Sequence, residues 1–535
     1  MLINVLKKYG NKYLLDLNLI FLILCWLFLW ISINAKPSQL FGNGLELLAG
    51  IRALIPSILA LPLIYLFLKR LKKNKFLVYS YNIENILFFL LIIYVFCKFF
   101  GGLHLYGEKN FLEFNYLTYS YLAMILVIYN HVYYKDNQNF VIFISLISFF
   151  FLLILTVFYA YISLKVYFID PKFMFTKWMY SIHPITKEFL GTPYARITGM
   201  SRIIAILSII LFIFFLISSK TNRKVFLFIL FNFFSLIIWM MQSRGTLICF
   251  ATTILVLTIF NNNLSILKKF FLIPILIFIP IGIMELIFNY KFNNNLHKFN
   301  NKCILKIVSS VEKESICNTK NKAYFYNYKI VESYFEKEKI HYSQEQNTVK
   351  KKDNNQSFLE TYPLNFKTYP LNFETHPLDN TNRFIKPNNN VGYSSGRIAI
   401  WERIFKLYDY KRVFGLGAQG DRQILMGEES TFILSSNASN LIIYSFVSSG
   451  YFGVLSIFLV CLILCLEIIK FFFGNNNLFN ESNFLKIVGS SLLIFFLIRS
   501  LVENSFGVFS IDALLFINAI LLFFSRSSLM NKNMS

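Results

Sequence analysis

Arginine is the scarcer cation in this chain, and its placement is uneven. Lysine dominates one set of connections between apolar blocks. At the opposite ends of the blocks the cation is repeatedly arginine: Arg52, Arg202, Arg244 and Arg499. Arg397 and Arg422 lie in a polar stretch that leads back into an apolar block. A guanidinium is a planar, permanently charged fork that grips a phosphate through two parallel hydrogen bonds. Holding such a charge near a membrane core costs at least about 2.5–3.5 kcal/mol on insertion scales. Arginines repeated at one face therefore point to a polyanionic ligand at headgroup level, and a lipid diphosphate fits. The competing reading has each guanidinium reaching lipid phosphate or pairing with a carboxylate, as Arg499 would with Glu503 one turn on. Arg244 stands at the tip of a tight hairpin, which has little other reason to hold it.

The elements that must carry these residues are membrane helices. The chain is 56% hydrophobic and only 15% charged, with a mean hydropathy of +0.54. A soluble chain carries about 25% charge. Apolar blocks of roughly 20 residues are long enough to span a bilayer. About twelve such blocks stand near 15–33, 47–68, 84–100, 114–134, 139–162, 203–219, 225–241, 245–260, 270–288, 445–469, 484–499 and 507–525. The expected fold is an all-α polytopic membrane protein with a long loop between spans nine and ten. Its parts are 1–288, 289–440 and 441–535. The net charge of +24 does not imply nucleic acid, because many cations sit in short loops between apolar blocks. Their bias toward alternate loops places both termini in the cytoplasm and the long loop outside the inner membrane. Lys36, Lys98, Lys109, Arg244 and Arg499 then fall in the short outer connections. The first apolar block is long enough to stay in the membrane, and no cleavable signal is evident.

The long polar segment has two parts. Residues 293–390 are rich in Asn, Lys, Glu and Tyr and contain the repeats Thr361–Lys367, Thr368–Glu374 and Thr375–Thr381. A proline in each unit forbids a regular helix, so these are expected to be a tolerated insertion. Residues 396–440 are expected to be ordered. Ile398, Trp401, Ile404, Phe405 and Tyr408 recur at helical spacing, as on an amphipathic surface helix. Phe414-Gly-Leu-Gly417 is a weak match to a phosphate loop and reads better as a tight turn delivering Asp421 and Arg422 toward the membrane. Ser435 to Asn440 could bind sugar hydroxyls or cap the helix from Leu441. A carboxylate could take the proton of an acceptor hydroxyl, and Glu402, Asp421, Glu428, Glu429 and Glu503 are on the correct side. The cysteines show no metal spacing, and Cys303 and Cys317 could pair if their segment is outside.

The order of these features resembles the O-antigen polymerase and O-antigen ligase superfamily of bacterial envelope glycosyltransferases. The resemblance rests on Arg196-x-Thr-Gly199, Ser243-Arg244-Gly245, Gly396-Arg397 with Trp401, Phe414-Gly-Leu-Gly417, and Asn440 followed by Gly450-x-x-Gly453. It covers the chain from about Arg196 onward. Such proteins transfer glycan from an undecaprenyl-diphosphate-linked oligosaccharide to an acceptor hydroxyl, without metal or nucleotide cofactor. The resemblance implies that Arg244 and Arg397 neutralise the diphosphate leaving group. Glu503 joins them as the catalytic set, with Arg52, Arg196, Arg202, Asp421, Arg422, Asn440 and Arg499 binding substrate. Ligases carry a histidine where this chain has Ser439, and the tail Arg499 to Ser505 looks more like polymerases. The expectation is a polysaccharide polymerase, with a chain-length regulator as a possible partner. The alternatives are a ligase joining polymer to lipid A-core and a flippase of lipid-linked sugars. The chain shows no internal symmetry of the kind many transporters have.

Overall fold

The computed structural model describes residues 17–34, 45–73, 83–106, 110–132, 138–169, 197–241, 243–261, 397–426, 438–474 and 478–525, with Ser265 and Lys269. All of them belong to one compact unit, and a second unit of Trp178–Ala195 and Ile281–Asn380 falls outside them. The described residues are helical, with no strand among them. In chain order the helices are α1 (Leu17–Asn34), α2 (Leu45–Lys73), α3 (Ile83–Gly102), α4 (Asn110–Val132), α5 (Gln138–Ile169), α6 (Ile197–Ile217), α7 (Thr221–Met240) and α8 (Arg244–Ile259). After the long polar segment come α9 (Arg397–Leu407), α10 (Gly420–Met426), α11 (Leu441–Gly474), α12 (Phe484–Ser500) and α13 (Ile511–Phe524). Each apolar block except the ninth overlaps one of these helices. The ninth, near 270–288, lies outside the described residues, as do the repeats, Cys303 and Cys317.

Among the described residues, five stretches are long and apolar enough to cross a membrane: Ile83–Gly102, Phe140–Tyr161, Gly199–Ile217, Thr221–Trp239 and Leu441–Gly474. On α5 the outward face is a run of exposed Phe150, Leu153, Ile154, Val157, Phe158 and Tyr161. Such a face fits lipid rather than water, and the architecture is that of a helical membrane protein. The centre of the bundle is α13, in which every residue from Ile511 to Phe523 is buried. An apolar helix covered on all sides is a core helix. Phe516 of α13 stacks on Phe506 with centroids 3.6 Å apart. Small polar groups join helices where apolar contact alone would leave slack. The indoles of Trp26 and Trp30 donate to Ser148 Oγ, at 3.0 and 3.2 Å. Ser145 donates to Asn518 of α13 at 3.0 Å. In lipid, packing and such hydrogen bonds replace the hydrophobic drive between helices.

Lys98 corrects one expectation. It does not lie in a connection but inside α3, and only 2% of it is exposed.

The glycines of the polar segment also have a larger task than turning the chain. Helix α11 breaks at Gly450, where φ is 65° and ψ is −161°. A break frees carbonyl and N–H groups that lipid cannot satisfy. The segment Val413–Gly417 satisfies them here. Leu416 N–H donates to Val447 O at 2.8 Å, Gly417 N–H to Ser448 O at 2.9 Å, and Tyr451 N–H to Val413 O at 3.1 Å. This pairing brings backbone against backbone. A Cβ on Gly450 would stand 1.8 Å from Val413 O, and one on Gly417 would stand 2.6 Å from Gly102 Cα in α3. Gly450→Ala therefore combines left-handed strain with overpacking, together roughly 2–6 kcal/mol. Thermal unfolding in detergent should show a large drop for Gly450→Ala. Gly474→Ala should leave the midpoint near wild type, because nothing lies within 4 Å of that Cβ. Equal midpoints for the two variants would show that the junction contributes nothing to stability.

Candidate functional site

The first turn of α13 begins at Ser510, whose hydroxyl accepts from Ala513 N–H. Asp512 sits in that turn and is fully buried. Its Oδ2 takes a guanidinium nitrogen of Arg202 at 2.7 Å and stands 3.6 Å from Arg499 Nε. Ser505 donates to the same oxygen at 3.3 Å. Arg202 comes from the first turns of α6 and Arg499 from the last turn of α12. Arg499 is only 3% exposed, whereas Arg202 is 22% exposed. Two guanidiniums share one carboxylate, so the cluster carries one positive charge in excess. Removing a partner from such a buried pair typically costs about 3–5 kcal/mol, because the remaining charge is left uncompensated.

Hydroxyls extend the cluster. Arg499 donates to Thr246 Oγ1 at 3.2 Å. Ser201 and Ser243 each donate to that oxygen at 3.1 Å. Thr246 is in the first turn of α8, which starts at Arg244. The side chains of Arg244 and Arg52 and the whole of Arg196 lie outside the described residues. The backbone of Arg244 is nonetheless placed. A Cβ on the next residue, Gly245, would meet Val502 at 3.4 Å. The start of α8 thus adjoins the turn that links Arg499 to Glu503.

That turn is the hub of the site. Glu503 Oε1 pairs with Arg397 of α9 at 3.2 Å. Leu501 O accepts from the Asn440 side chain at 2.9 Å. The expected Arg499–Glu503 side-chain pair is therefore replaced by two others. Glu503 bonds Arg499 only through backbone, N–H to O at 2.9 Å. The Arg397 and Glu503 side chains are 27% and 21% exposed, so the pair is partly open to solvent. Arg397 is the more accessible of the two arginines, and Arg499 is buried.

Helix α9 is held as its apolar spacing implies, though with a narrower face. Ile404 and Tyr408 are buried with Leu425, Ala438, Tyr444 and Val447, while Ile398 and Phe405 remain exposed. The Trp401 indole donates to Ala438 O. Asn440 takes the capping role, with its Oδ1 accepting from Ile443 N–H at 3.1 Å. Both ends of its amide are used by the fold. Arg422 is half-buried on α10, beside Asp421. Asp421 differs most from the expectation of a ligand-facing acid. It is 1% exposed, and its Oδ2 accepts from Ala438 N–H at 2.7 Å. Burial raises its carboxyl above the ordinary range, opposed by that N–H and by the Arg422 charge. Asp512, Thr246 and Ser505 are the members that sequence reasoning missed. An acid inside an apolar block is the signal that could have found Asp512.

Among the described residues no group of His, Cys, Asp and Glu is arranged to hold a metal. What the arrangement can do is attract and neutralise an anion. It offers an excess of positive charge and the partly exposed Arg202 and Arg397, while the hydroxyls around Thr246 are buried and bonded to one another. Compared with known protein families and with curated proteins, the chain matches none.

Asp421 gives a pH test. A carboxyl raised in the fold contributes stability that is present below its unfolded pKa, near 4, and lost as pH rises through the folded value. The wild-type unfolding midpoint should fall from pH 4.5 to 7.5 more steeply than that of Asp421→Asn, which keeps the acceptor for Ala438 N–H. Parallel midpoint curves would contradict the burial of a strained carboxyl there.

Proposed function

We propose that this protein is a membrane glycosyltransferase of the surface-polysaccharide polymerase type. It would join undecaprenyl-diphosphate-linked repeat units at the outer face of the bacterial inner membrane. The observation that carries the reading is the convergence of arginines from distant parts of the sequence on one end of the bundle. Arg202 and Arg499 share Asp512, Arg397 pairs with Glu503 at the other end of the turn that carries Arg499, and the start of α8 at Arg244 adjoins that turn. The motif order that resembles the superfamily runs through the same residues.

In this reading the diphosphate of the donor lies among Arg244, Arg397 and Arg202. As the glycosidic bond to the carrier breaks, negative charge grows on the leaving phosphate. Guanidiniums already engaged with the diphosphate before the bond breaks stabilise that charge. Arg397 exchanges Glu503 for phosphate, which leaves the Glu503 carboxylate free to accept the proton of the acceptor hydroxyl. Arg499 and Asp512 hold the surrounding helix ends in register.

Arg244→Ala and Arg397→Ala should each lower polymer formation roughly 10²- to 10³-fold, the usual loss when one such donor is removed. Both variants should reach the membrane in normal amount. The readout is the glycan size profile of a deletion strain carrying each variant. Wild-type chain length in either variant removes that residue from the mechanism. Accumulation of long carrier-linked polymer in the deletion strain would instead indicate a ligase.

A further inference from the structure

The turn that joins Glu503 to Asp512 is held by groups from outside the arginine site. It contains the short 3-10 segment Ser505–Gly507. Two consecutive carbonyls in it receive donors from α3 and α4. Tyr121 Oη donates to Phe506 O at 2.8 Å. Tyr94 Oη donates to Gly507 O at 3.2 Å, and the Lys98 ammonium donates to the same oxygen. We propose that Lys98, Tyr94 and Tyr121 form a clamp on this turn, and that Lys98 is thereby a positioning residue for Glu503 and Asp512.

Lys98 is unusual for a cation in an apolar helix. A lysine near a helix end ordinarily carries its ammonium to water or headgroups. This one is 2% exposed and turned inward. Three tyrosine rings surround it, with centroids 4.1 Å (Tyr94), 4.7 Å (Tyr444) and 5.4 Å (Tyr121) from Nζ. The faces of these rings offset lost hydration, as in aromatic cages for ammonium groups. A buried ammonium is retained where its charge or its donors are used. Its hydrogen bond here goes to the turn.

The clamp has little slack. A Cβ on Gly507 would stand 2.6 Å from Leu441 Cδ1 and 3.2 Å from Tyr94 Oη. Gly507 N–H closes the turn on Asn504 O at 2.8 Å. On the far side, Ser505 donates to Asp512. Displacing Gly507 would therefore move the hydroxyl and the carboxylate that Arg202 and Arg499 share. The consequence for catalysis rests on the function proposed above. The clamp itself does not.

Carbodiimide labelling of the purified full chain in detergent, read by mass spectrometry, tests it. Asp512 is shielded in wild type. Lys98→Met should raise Asp512 labelling at least about fivefold by local opening of the turn. Cys25, buried in α1, should stay closed to maleimide. Tyr121→Phe removes one hydroxyl and should raise labelling in the same direction by less, and it carries the test if Lys98→Met does not accumulate. Unchanged Asp512 labelling in the accumulating variants overturns the clamp. Cys25 opening together with Asp512 also overturns it, because general loosening would then explain both. If Asp512 opens while polymer formation stays at the wild-type level, the clamp stands and the proposed role of the arginine site falls.

Discussion

A buried carboxylate shared by two guanidiniums sets the terms for this end of the protein. Asp512 draws together α6 through Arg202, α12 through Arg499 and its own α13. Neither arginine can leave without stranding a charge in a medium that penalises it. The helix ends are therefore fixed relative to one another, and the site inherits that fixity. The same arrangement leaves positive charge uncompensated. A second carboxylate here would cancel the excess charge that the two arginines leave around Asp512.

Around that fixed centre the polar segment is attached by backbone rather than by side chains. Gly415, Gly417 and Gly450 all have positive φ, and Gly101 and Gly102 of α3 give the loop room to approach. The loop supplies the hydrogen bonds that the break in α11 removes. In return the break holds the loop that leads to α10. Arg397 is tied to this platform through Trp401, Ile404 and Tyr408, so α9 reaches the Arg499–Glu503 turn from the loop side. The contrast in burial between Arg397 and Arg499 then divides their work. The half-exposed one can meet a ligand, and the buried one holds the wall.

Much of this was legible in the sequence, for identifiable reasons. Apolar block length located the helices, because lipid demands unbroken runs of a fixed span. The scarcity of arginine marks Arg202, Arg397 and Arg499, which pair with two carboxylates on either side of one turn. Asn440 was legible as a cap because its partner is three residues away. Partners distant in sequence were not. Glu503 looked committed to Arg499 by helical spacing, yet the chain rises again from the polar segment and offers Arg397. Asp512 carries its signal, an acid inside an apolar block, but its partners are distant in sequence, and Lys98 reads as a residue of a connection because it lies within about a turn of a helix end. Asp421 looked ligand-facing because nothing local announces that Ala438 N–H needs its oxygen. The glycine loop was legible as a turn, but not as the complement of a break more than a helix away.

The central claim is that the converged guanidiniums make a pyrophosphate site. Calorimetric titration of the purified protein with inorganic pyrophosphate, repeated at rising salt, addresses it most directly. Saturable one-site binding is expected, weakening with salt and lost when Arg202 and Arg397 are both changed to Gln. Binding of equal strength in that double variant, or none in wild type at low salt, would contradict it.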